Sequence, residues 1–260
     1  MRRTLSVCII ARDEEQHIAR CLESACAVGD QIVVVDTGSR DTTVEIAVRY
    51  GAEIGHFAWC DDFSAARNAS LEMATGDWVL WLDADDYLLP VDRDKVLRAK
   101  ALVPDAGLYF TLVNEGGEET RFRQVKMFPN RKDIRFEQPV HESVLESLQR
   151  VGMELKPTDI EVRHTRETDP REIAHKQVYY TEVMERWLRD NPQDWEMHFR
   201  VGHTLYAQGE REEALHYFAR ILATQEEDVL RSVRLLAATF SGRCLLEEGR
   251  YEEALAVLRR

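Results

Sequence analysis

The sequence contains no apolar run close to the roughly 18 residues that a membrane-spanning helix requires. Its five cysteines are odd in number and form no Cys-x-x-Cys pair, which indicates reduced thiols and predicts a cytoplasmic location. Positive charge is scarce, with 34 Lys and Arg against 47 Asp and Glu and a net charge of −13. This balance argues against a protein that coats nucleic acid, and we expect no nucleic acid among its partners.

The sequence does contain enough apolar residues for a core, since 44% of its 260 residues are hydrophobic. Four short apolar runs predict buried strands, at residues 5–10, 31–35, 52–57 and 78–82. The first run follows two arginines but has no small-residue cleavage site after it, so we interpret it as a strand and not as a signal peptide. Helical patterns separate the runs. This alternation predicts an α/β fold with a parallel sheet covered by helices on both faces.

The pattern changes after Pro90. A helix to about Leu102 and strand-like runs at 107–113 and 121–128 indicate mixed α+β material that continues to about His164. From Pro170 onward the sequence is typical of helices. We therefore predict an α/β domain at residues 1–170 and an all-α region at residues 171–260.

The helical region contains an internal repeat with a spacing of 40 residues. It aligns Gly202 with Gly242, Gly209 with Gly249, and the segment 212–215 with 252–255. Small residues, a glycine turn and a Glu-Glu-Ala-Leu helix are similar to tetratricopeptide repeats, whose usual period is 34, so we expect an insertion near 224–228. A generic helical bundle is the alternative. Such arrays usually need three or more units, so we expect a longer natural chain, or a partner or second protomer covering this end.

Three polar clusters follow predicted strands. They are Ala11-Arg12-Asp13-Glu14 after the first, Asp36-Thr37-Gly38-Ser39 after the second, and Asp83-Ala84-Asp85-Asp86 after the fourth. Ligands of open parallel sheets bind beyond the carboxyl ends of the strands, so we expect these clusters to share one edge. Asp83 and Asp85 are spaced to face one hard cation such as Mg²⁺ or Mn²⁺. The alternative for this pair is a solvated acidic turn or a helix cap.

Four motifs in order, IIARDEE, VVVDTGSRDTT, FSAARNASL and WLDADD, resemble family 2 glycosyltransferases. Within that family the sequence is most similar to bacterial lipopolysaccharide-core glucosyltransferases and peptide S-glycosyltransferases, some of which carry tetratricopeptide-like tails. The resemblance covers about the first 165 residues. It implies a GT-A fold, a Rossmann-like mixed sheet, and a nucleotide-sugar donor, most simply a UDP-sugar.

The resemblance also implies roles on the donor side. Asp36, with Gly38 beside it, would bind the uracil or ribose, and Asp83 the ribose or the donor sugar. Asp85 would bind the Mn²⁺ or Mg²⁺ that bridges both phosphates. The remaining donor-side residues would line the nucleotide pocket or contact the donor, and these are Ala11, Arg12, Asp13, Glu14 and Arg67. Charge at a helix N-terminus is the alternative for Glu14, and a surface ion pair is the alternative for Arg67.

On the acceptor side the family pattern is looser. The motif VHES offers Glu142 as the base, with His141 orienting the acceptor or facing the donor phosphates. Asp61 and Asp62 are alternative bases. His164, at a strand end, is a third metal ligand or phosphate contact, or else a structural histidine. The basic stretch of Arg121, Arg123, Lys126, Arg131 and Lys132 either receives an anionic acceptor or decorates a strand pair.

The expected activity is inverting transfer of a sugar to a saccharide, lipid-linked or peptide acceptor. A lipid-linked acceptor would bring the protein to a membrane surface. Two alternatives remain open. One is a phosphohydrolase of the haloacid dehalogenase type, although its nucleophilic Asp belongs on the first strand. The other is a non-catalytic scaffold in which the repeats bind a partner and the sheet is degenerate.

Overall fold

The computed structural model describes residues 3–102, 105–116, 119–165, 169–225 and 229–259. By its internal contacts the chain divides into two compact units, Met1–Asp169 and Pro170–Arg260. The insertion expected near 224–228 lies partly outside the described residues, since 226–228 are not among them. Within the described ranges, no helix combines the length and the apolar character needed to cross a membrane.

The first unit is a mixed α/β structure. Its elements are β1 (Leu5–Ala11), α1 (Ile18–Cys26), β2 (Gln31–Asp36), α2 (Thr43–Arg49), β3 (Glu53–His56), α3 (Phe63–Met73), β4 (Trp78–Asp83), β5 (Asp86–Tyr87), α4 (Pro90–Leu102), β6 (Gly107–Glu115), β7 (Thr120–Pro129), α5 (Leu145–Arg150) and β8 (Leu155–Thr165). The first four strands begin and end within one residue of the predicted runs. The predicted alternation of strands and helices is confirmed, because apolar periodicity is a local signal that tertiary contacts did not override.

One sheet joins all eight strands, in the order β3-β2-β1-β4-β7-β6-β8-β5. The four strands β1 to β4 are parallel to their neighbours, whereas β7 is antiparallel to both β4 and β6. The sheet is therefore mixed, as the implied GT-A fold requires. Apolar clusters cover both of its faces: one contains Ile18 and Leu22 of α1, and the other contains Leu71 of α3.

A β-bulge interrupts the pairing of β6 with β7. The register passes directly from Leu108↔Met127 to Tyr109↔Val125, which leaves Lys126 without a partner on β6. A bulge adds one residue to one strand and re-aims its side chain. Lys126 is consequently fully buried, which is rare for a lysine.

The second unit is helical. Its helices are α6 (Pro170–Asp190), α7 (Trp195–Gln208), α8 (Arg211–Ala223), α9 (Arg231–Glu247) and α10 (Tyr251–Leu258). The hairpins α7–α8 and α9–α10 repeat the same contacts. A Cβ on Gly202 would lie 2.6 Å from the ring of Phe218, and one on Gly242 would lie 2.9 Å from Leu258, exactly one repeat length onward.

The turns between these paired helices also repeat. Gly209 and Gly249 adopt φ of +87° and +74°, a left-handed conformation that glycine accepts without steric cost. The 40-residue repeat of the sequence is thus present as a repeat of structure.

Candidate active site

The carboxyl ends of the parallel strands meet at one edge of the sheet. Ala11 of β1 pairs with Asp36 of β2, and Ile10 pairs with Asp83 of β4. The loops after β1, β2 and β4 therefore leave the sheet side by side. All three polar clusters lie at this edge, as the strand pattern predicts.

At this edge four side chains gather into one cluster. The ligand atoms of Asp83, Asp85, Asp86 and His164 lie within 4.8 Å of one another. Antiparallel pairing of β5 with β8 brings His164 opposite Asp86, 78 residues away in sequence. Carboxylate oxygens and one imidazole form a donor set suited to Mn²⁺ or Mg²⁺.

Sequence reasoning missed Asp86, although it follows the Asp-x-Asp pair directly. Asp86 is fully buried. Its Oδ2 accepts hydrogen bonds from the Nζ of Lys126 at 2.8 Å and from the backbone N–H of Asp83 at 3.0 Å. Its Oδ1 lies 2.9 Å from Nδ1 of His164. The chain could have signalled this role only through the lone lysine of a β-strand, which sequence alone does not bury.

Lys126 belongs to this cluster and not to a basic surface. Its Nζ lies 3.8 Å from Oδ2 of Asp83 and 3.5 Å from the ring centre of Trp81. The expectation that Lys126 receives an acceptor or decorates the strand surface is wrong, because the bulge turns its ammonium group inward. Arg121, also in that basic stretch, is exposed and pairs with Glu119 and Glu161.

Arg67 of α3 joins the cluster from the other side. Its NH2 group donates to Oδ1 of Asp83 at 2.5 Å and its Nε donates to Oε1 of Glu142 at 2.7 Å. The guanidinium is buried and lies 4.3 Å from the ring centre of Trp81. Arg67 is therefore part of a buried ion network. The surface ion pair weighed for it is wrong, since α3 carries the side chain inward.

The charges of this network hold its groups ionised. Burial alone would raise the pKa of Asp83, but the charges of Arg67 and Lys126 hold the pKa of that carboxyl well below its usual range. Burial alone would lower the pKa of Arg67, and the charges of Asp83 and Glu142 raise it above its ordinary value. For His164, burial lowers the pKa, yet the hydrogen bonds to Asp85 and Asp86 raise it to about 10.

The thiol of Cys21 lies under the same turn. Its Sγ donates to the carbonyl oxygen of Asp83 at 3.3 Å. Burial, and then the charges of Asp86, Asp85 and Asp83, raise the pKa of Cys21 well above its usual value. The thiol therefore stays protonated and serves as a donor that supports the turn.

The loops after β1 and β2 are joined by reciprocal hydrogen bonds. Asp13 N donates to Ser39 Oγ at 3.0 Å, and Arg40 N donates to Asp13 Oδ1 at 2.7 Å. Glu14 N donates to Thr43 Oγ1 at 2.7 Å, and the carbonyl of Ala11 accepts from Thr37 N at 2.9 Å. These contacts fix the mouth of the edge. Arg12, half exposed, lies 3.9 Å from Asp13, which leaves its guanidinium turned to solvent.

Asp36 is buried at the end of β2. Its carboxylate accepts from the backbone N–H groups of Gly38 at 3.1 Å and Ser39 at 3.0 Å. Gly38 has φ of +109°, which only glycine adopts readily, and a Cβ there would meet open space. His56, exposed at the end of β3, has Nδ1 3.7 Å from Asp36 Oδ2. Asp36 thus lies beside an open glycine turn.

The segment that carries His141 and Glu142 is anchored to α3. Asn68 exchanges hydrogen bonds with the backbone of Phe136, each at 2.9 Å, and the N–H of Phe63 donates to the carbonyl of Pro139 at 2.8 Å. His141 has a positive φ of 59° and is exposed, whereas the Glu142 side chain is 12% exposed. Strained residues of this kind cluster at functional sites.

Of the two alternative bases, Asp62 is occupied structurally. It caps α3, accepting from the N–H of Ala65 at 2.9 Å and from the hydroxyl of Ser64 at 2.7 Å. Asp61 accepts from the indole N–H of Trp59 at 3.1 Å and has φ of +60°. Both side chains thus support the loop before α3.

Comparisons with known proteins agree with this architecture. A TPR repeat-containing protein of Synechococcus elongatus is 37% identical over 216 residues, which is 79% of this chain and 53% of that protein. The chain thus spans about half the length of this curated relative.

Two solved structures resemble the chain at low sequence identity. S. aureus TarS 1-349 in complex with UDP-GlcNAc aligns with a TM-score of 0.62 and 14% identity, over 98% of this chain and 90% of that one. Glucosyl-3-phosphoglycerate synthase from Mycobacterium tuberculosis, in complex with Mn²⁺, UDP and glucosyl-3-phosphoglycerate, aligns with a TM-score of 0.51 and 16% identity, over 70% and 78% of the two chains. At these identities they establish the fold.

The family model for glycosyl transferase family 2 matches residues 6–203. This range contains every side chain of the cluster described above. Since the match covers most of the sequence, the chain belongs to glycosyl transferase family 2 and carries a glycosyltransferase domain of the GT-A fold.

Proposed function

We propose that the chain is an inverting glycosyltransferase that moves a sugar from a UDP-sugar to a saccharide, lipid-linked or peptide acceptor. The observation that carries this proposal is the cluster of Asp83, Asp85 and His164 at the carboxyl edge of the parallel strands, where α/β folds bind ligands. Residues 1–170 would form the catalytic domain. Residues 171–260 would form a tetratricopeptide-like region that contacts a protein partner or a second protomer.

The donor set fits a divalent cation. Asp85 is the carboxylate of the cluster that remains partly exposed and has no backbone donor among the described residues, so it is free to bind an ion from the solvent side. His164 supplies an imidazole, and Asp83 lies beside both. Mn²⁺ or Mg²⁺ bound here would neutralise the charge of the departing nucleoside diphosphate.

The protein's own groups would position the donor. The open turn at Gly38 leaves room beside the buried carboxylate of Asp36, which can accept hydrogen bonds from a uracil N–H or a ribose hydroxyl. Arg12 and Asp13 would line this pocket, together with Ala11 and Glu14. Arg67 would act by holding Asp83 in place, because its Nε and one terminal nitrogen already bind carboxylates.

Glu142 is the proposed base. Its Oε1 accepts from Arg67, while Oε2 has no hydrogen bond to any described residue and is available for an acceptor proton. Arg67 joins Glu142 to Asp83, so one guanidinium would link the acceptor side to the donor side. Attack of the deprotonated acceptor on the anomeric carbon, opposite the departing diphosphate, would invert its configuration. His141, exposed beside Glu142, would orient the acceptor.

The experiment is a binding and turnover assay on the purified chain. UDP binding is measured by calorimetry with Mn²⁺, with Mg²⁺ and with a chelator, and a panel of UDP-sugars is then tested for turnover. Metal-dependent UDP binding and an inverted anomeric product by NMR are expected. Equal UDP affinity with and without metal would remove the metal from the proposal, and a retained anomeric configuration would remove the single-displacement step.

The phosphohydrolase alternative has little structural support. Its nucleophilic aspartate belongs at the end of the first strand, and β1 ends at Ala11 with Arg12 after it. The scaffold alternative predicts no binding of UDP with metal, which the same calorimetry decides.

A further inference from the structure

Asp86 is close to the proposed cation site, yet the protein already engages both of its oxygens. Oδ2 accepts from Lys126 at 2.8 Å and from the N–H of Asp83 at 3.0 Å. Oδ1 faces Nδ1 of His164 at 2.9 Å. Asp86 is fully buried, whereas the Asp85 side chain is 23% exposed. Of the two neighbouring carboxylates, Asp85 is therefore the one free to bind an ion, and Asp86 has a different task.

Lys126 fixes the position of Asp86. The β-bulge in β7 directs this lysine inward, and its ammonium group is held between Asp86 and the ring of Trp81. A buried ion is tolerated only when it is paired and hydrogen-bonded. The two donors on Oδ2, one from Lys126 and one from the backbone, leave Oδ1 as the atom that faces His164.

His164 has two ring nitrogens with different surroundings. Nδ1 contacts Asp86, and Nε2 has no hydrogen bond to any residue that the structure describes. The hydrogen bond made by one ring nitrogen decides which one carries the lone pair, and a metal-binding histidine commonly donates its other N–H to a carboxylate. An N–H on Nδ1 that donates to Asp86 leaves the lone pair on Nε2.

We propose that Asp86, held by Lys126, is a positioning residue that keeps the proton of His164 on Nδ1 and so presents Nε2 to a divalent cation. This inference rests on the proposed function, since the cation is the one expected to accompany the donor. Asp85 and His164 would be direct ligands. Asp86 would act only through His164.

Asp86→Asn is the matched substitution, because it preserves size and removes one acceptor. The two donors at Oδ2 require an oxygen there, so the amide NH₂ must face Nδ1 of His164. That contact favours the opposite tautomer, in which Nε2 carries the proton and cannot bind metal. Mn²⁺ affinity, measured by calorimetry on the full chain, should fall by about 10- to 100-fold.

A double-mutant cycle separates positioning from direct binding and from a simple charge effect. Asp86→Asn is measured alone and in a His164→Ala background. Direct ligation or charge would weaken Mn²⁺ binding by a similar factor in both backgrounds, within about twofold. Positioning predicts a coupling of tenfold or more between the two substitutions, on the order of the orienting effect itself. Additive losses would overturn the role proposed for Asp86.

A spectroscopic measurement reports on the nitrogen itself. Electron spin echo modulation of bound Mn²⁺ should show a directly bound nitrogen in the wild type and lose it in both Asp86→Asn and His164→Ala. Retention of that signal in Asp86→Asn would overturn the proposal. Asp133→Asn serves as the control, since that carboxylate is half exposed and pairs with Arg131.

Wild-type protein provides a test that does not depend on a variant folding. Nitrogen-15 NMR of histidine-labelled protein loaded with Cd²⁺ should show a retained Nδ1–H and a metal-shifted Nε2, and ligation through Nδ1 would overturn the inference. If the wild type binds no Mn²⁺ even with UDP, the metal-assisted function itself fails and this inference with it. If it binds Mn²⁺ and the cycle is additive, only the role of Asp86 fails.

Discussion

Nε of Arg67 donates a hydrogen bond to Oε1 of Glu142 across 2.7 Å, between residues that are 75 positions apart in the chain. The same guanidinium donates to Asp83 at the end of β4. Arg67 thus fixes the relative positions of the proposed acceptor base and a donor-side carboxylate. Its burial against Trp81 limits the rotamers that it can adopt.

Arg67→Lys should therefore impair transfer without abolishing the fold. Lysine keeps the charge, but a single ammonium group lacks the planar fork that binds two carboxylates at once. We expect kcat to fall by about 10²-fold, the usual cost of a displacement near 1 Å at a reacting centre. Steady-state kinetics and circular dichroism check this. A kcat within a few-fold of wild type would show that the bridge does not position Glu142.

Glu142→Gln tests the base directly. Glutamine can still accept from Arg67 Nε, so the network and UDP binding should persist, while kcat should fall by about 10²–10⁴-fold. Glu137→Gln is the matched control, because Glu137 lies in the same segment and pairs with Arg150 at the surface. Equal effects of the two substitutions would place the base elsewhere.

Asp85→Asn should weaken Mn²⁺ binding and abolish metal-dependent UDP binding. The fold should survive, because Asp85 is partly exposed and its one printed contact is with His164. Calorimetry measures the affinity and thermal unfolding measures the fold, with Asp133→Asn as a control. Unfolding of Asp85→Asn at ambient temperature would mean that Asp85 is a structural cap of the turn.

The helical unit should lose stability on acidification through His198. Its Nε2 lies 3.1 Å from the carbonyl of Pro192, and its buried Nδ1 has no partner among the described residues. Burial, together with the charge of Arg220, lowers the pKa of His198. The folded state then binds fewer protons than the unfolded state, so stability rises with pH and is lost below about pH 6.5, where the unfolded histidine titrates.

The slope from this one group cannot exceed about 1.4 kcal/mol per pH unit. Thermal unfolding followed by circular dichroism between pH 5 and 8 measures it. His198→Gln, which keeps a donor for Pro192, should reduce the pH dependence, whereas His216→Gln on the exposed face of α8 should not. An unchanged profile in His198→Gln would assign the acid sensitivity to other groups.

Gly202→Ala should destabilise the second unit, while Gly242→Ala at the equivalent repeat position should cost much less. The added Cβ at residue 202 meets the fully buried ring of Phe218, and overpacking of this kind costs about 1–3 kcal/mol. The Cβ at residue 242 meets the flexible, half-exposed Leu258. Comparison of the two Tm values checks this, and equal losses would contradict it.

Local sequence patterns were sufficient to predict the strands, the repeat and the edge that carries the polar clusters. Apolar periodicity located β1 to β4 because it depends only on neighbouring residues. The rule that parallel strands end at one edge then brought Asp36 and Asp83 together. The spacing of Gly202 and Gly242 located equivalent helix contacts, since a repeat is itself a property of sequence.

Only the tertiary structure decided which charged residues are buried and paired. Nothing local distinguishes Lys126 from the exposed Arg123 of the same strand, because a bulge in the pairing with β6 determines which way the lysine points. Asp86 gained its role from Lys126 and His164, which lie 40 and 78 positions away. Such pairs depend on strand register and on the low dielectric of the interior, which makes an unpaired charge costly, and neither is encoded in residue spacing.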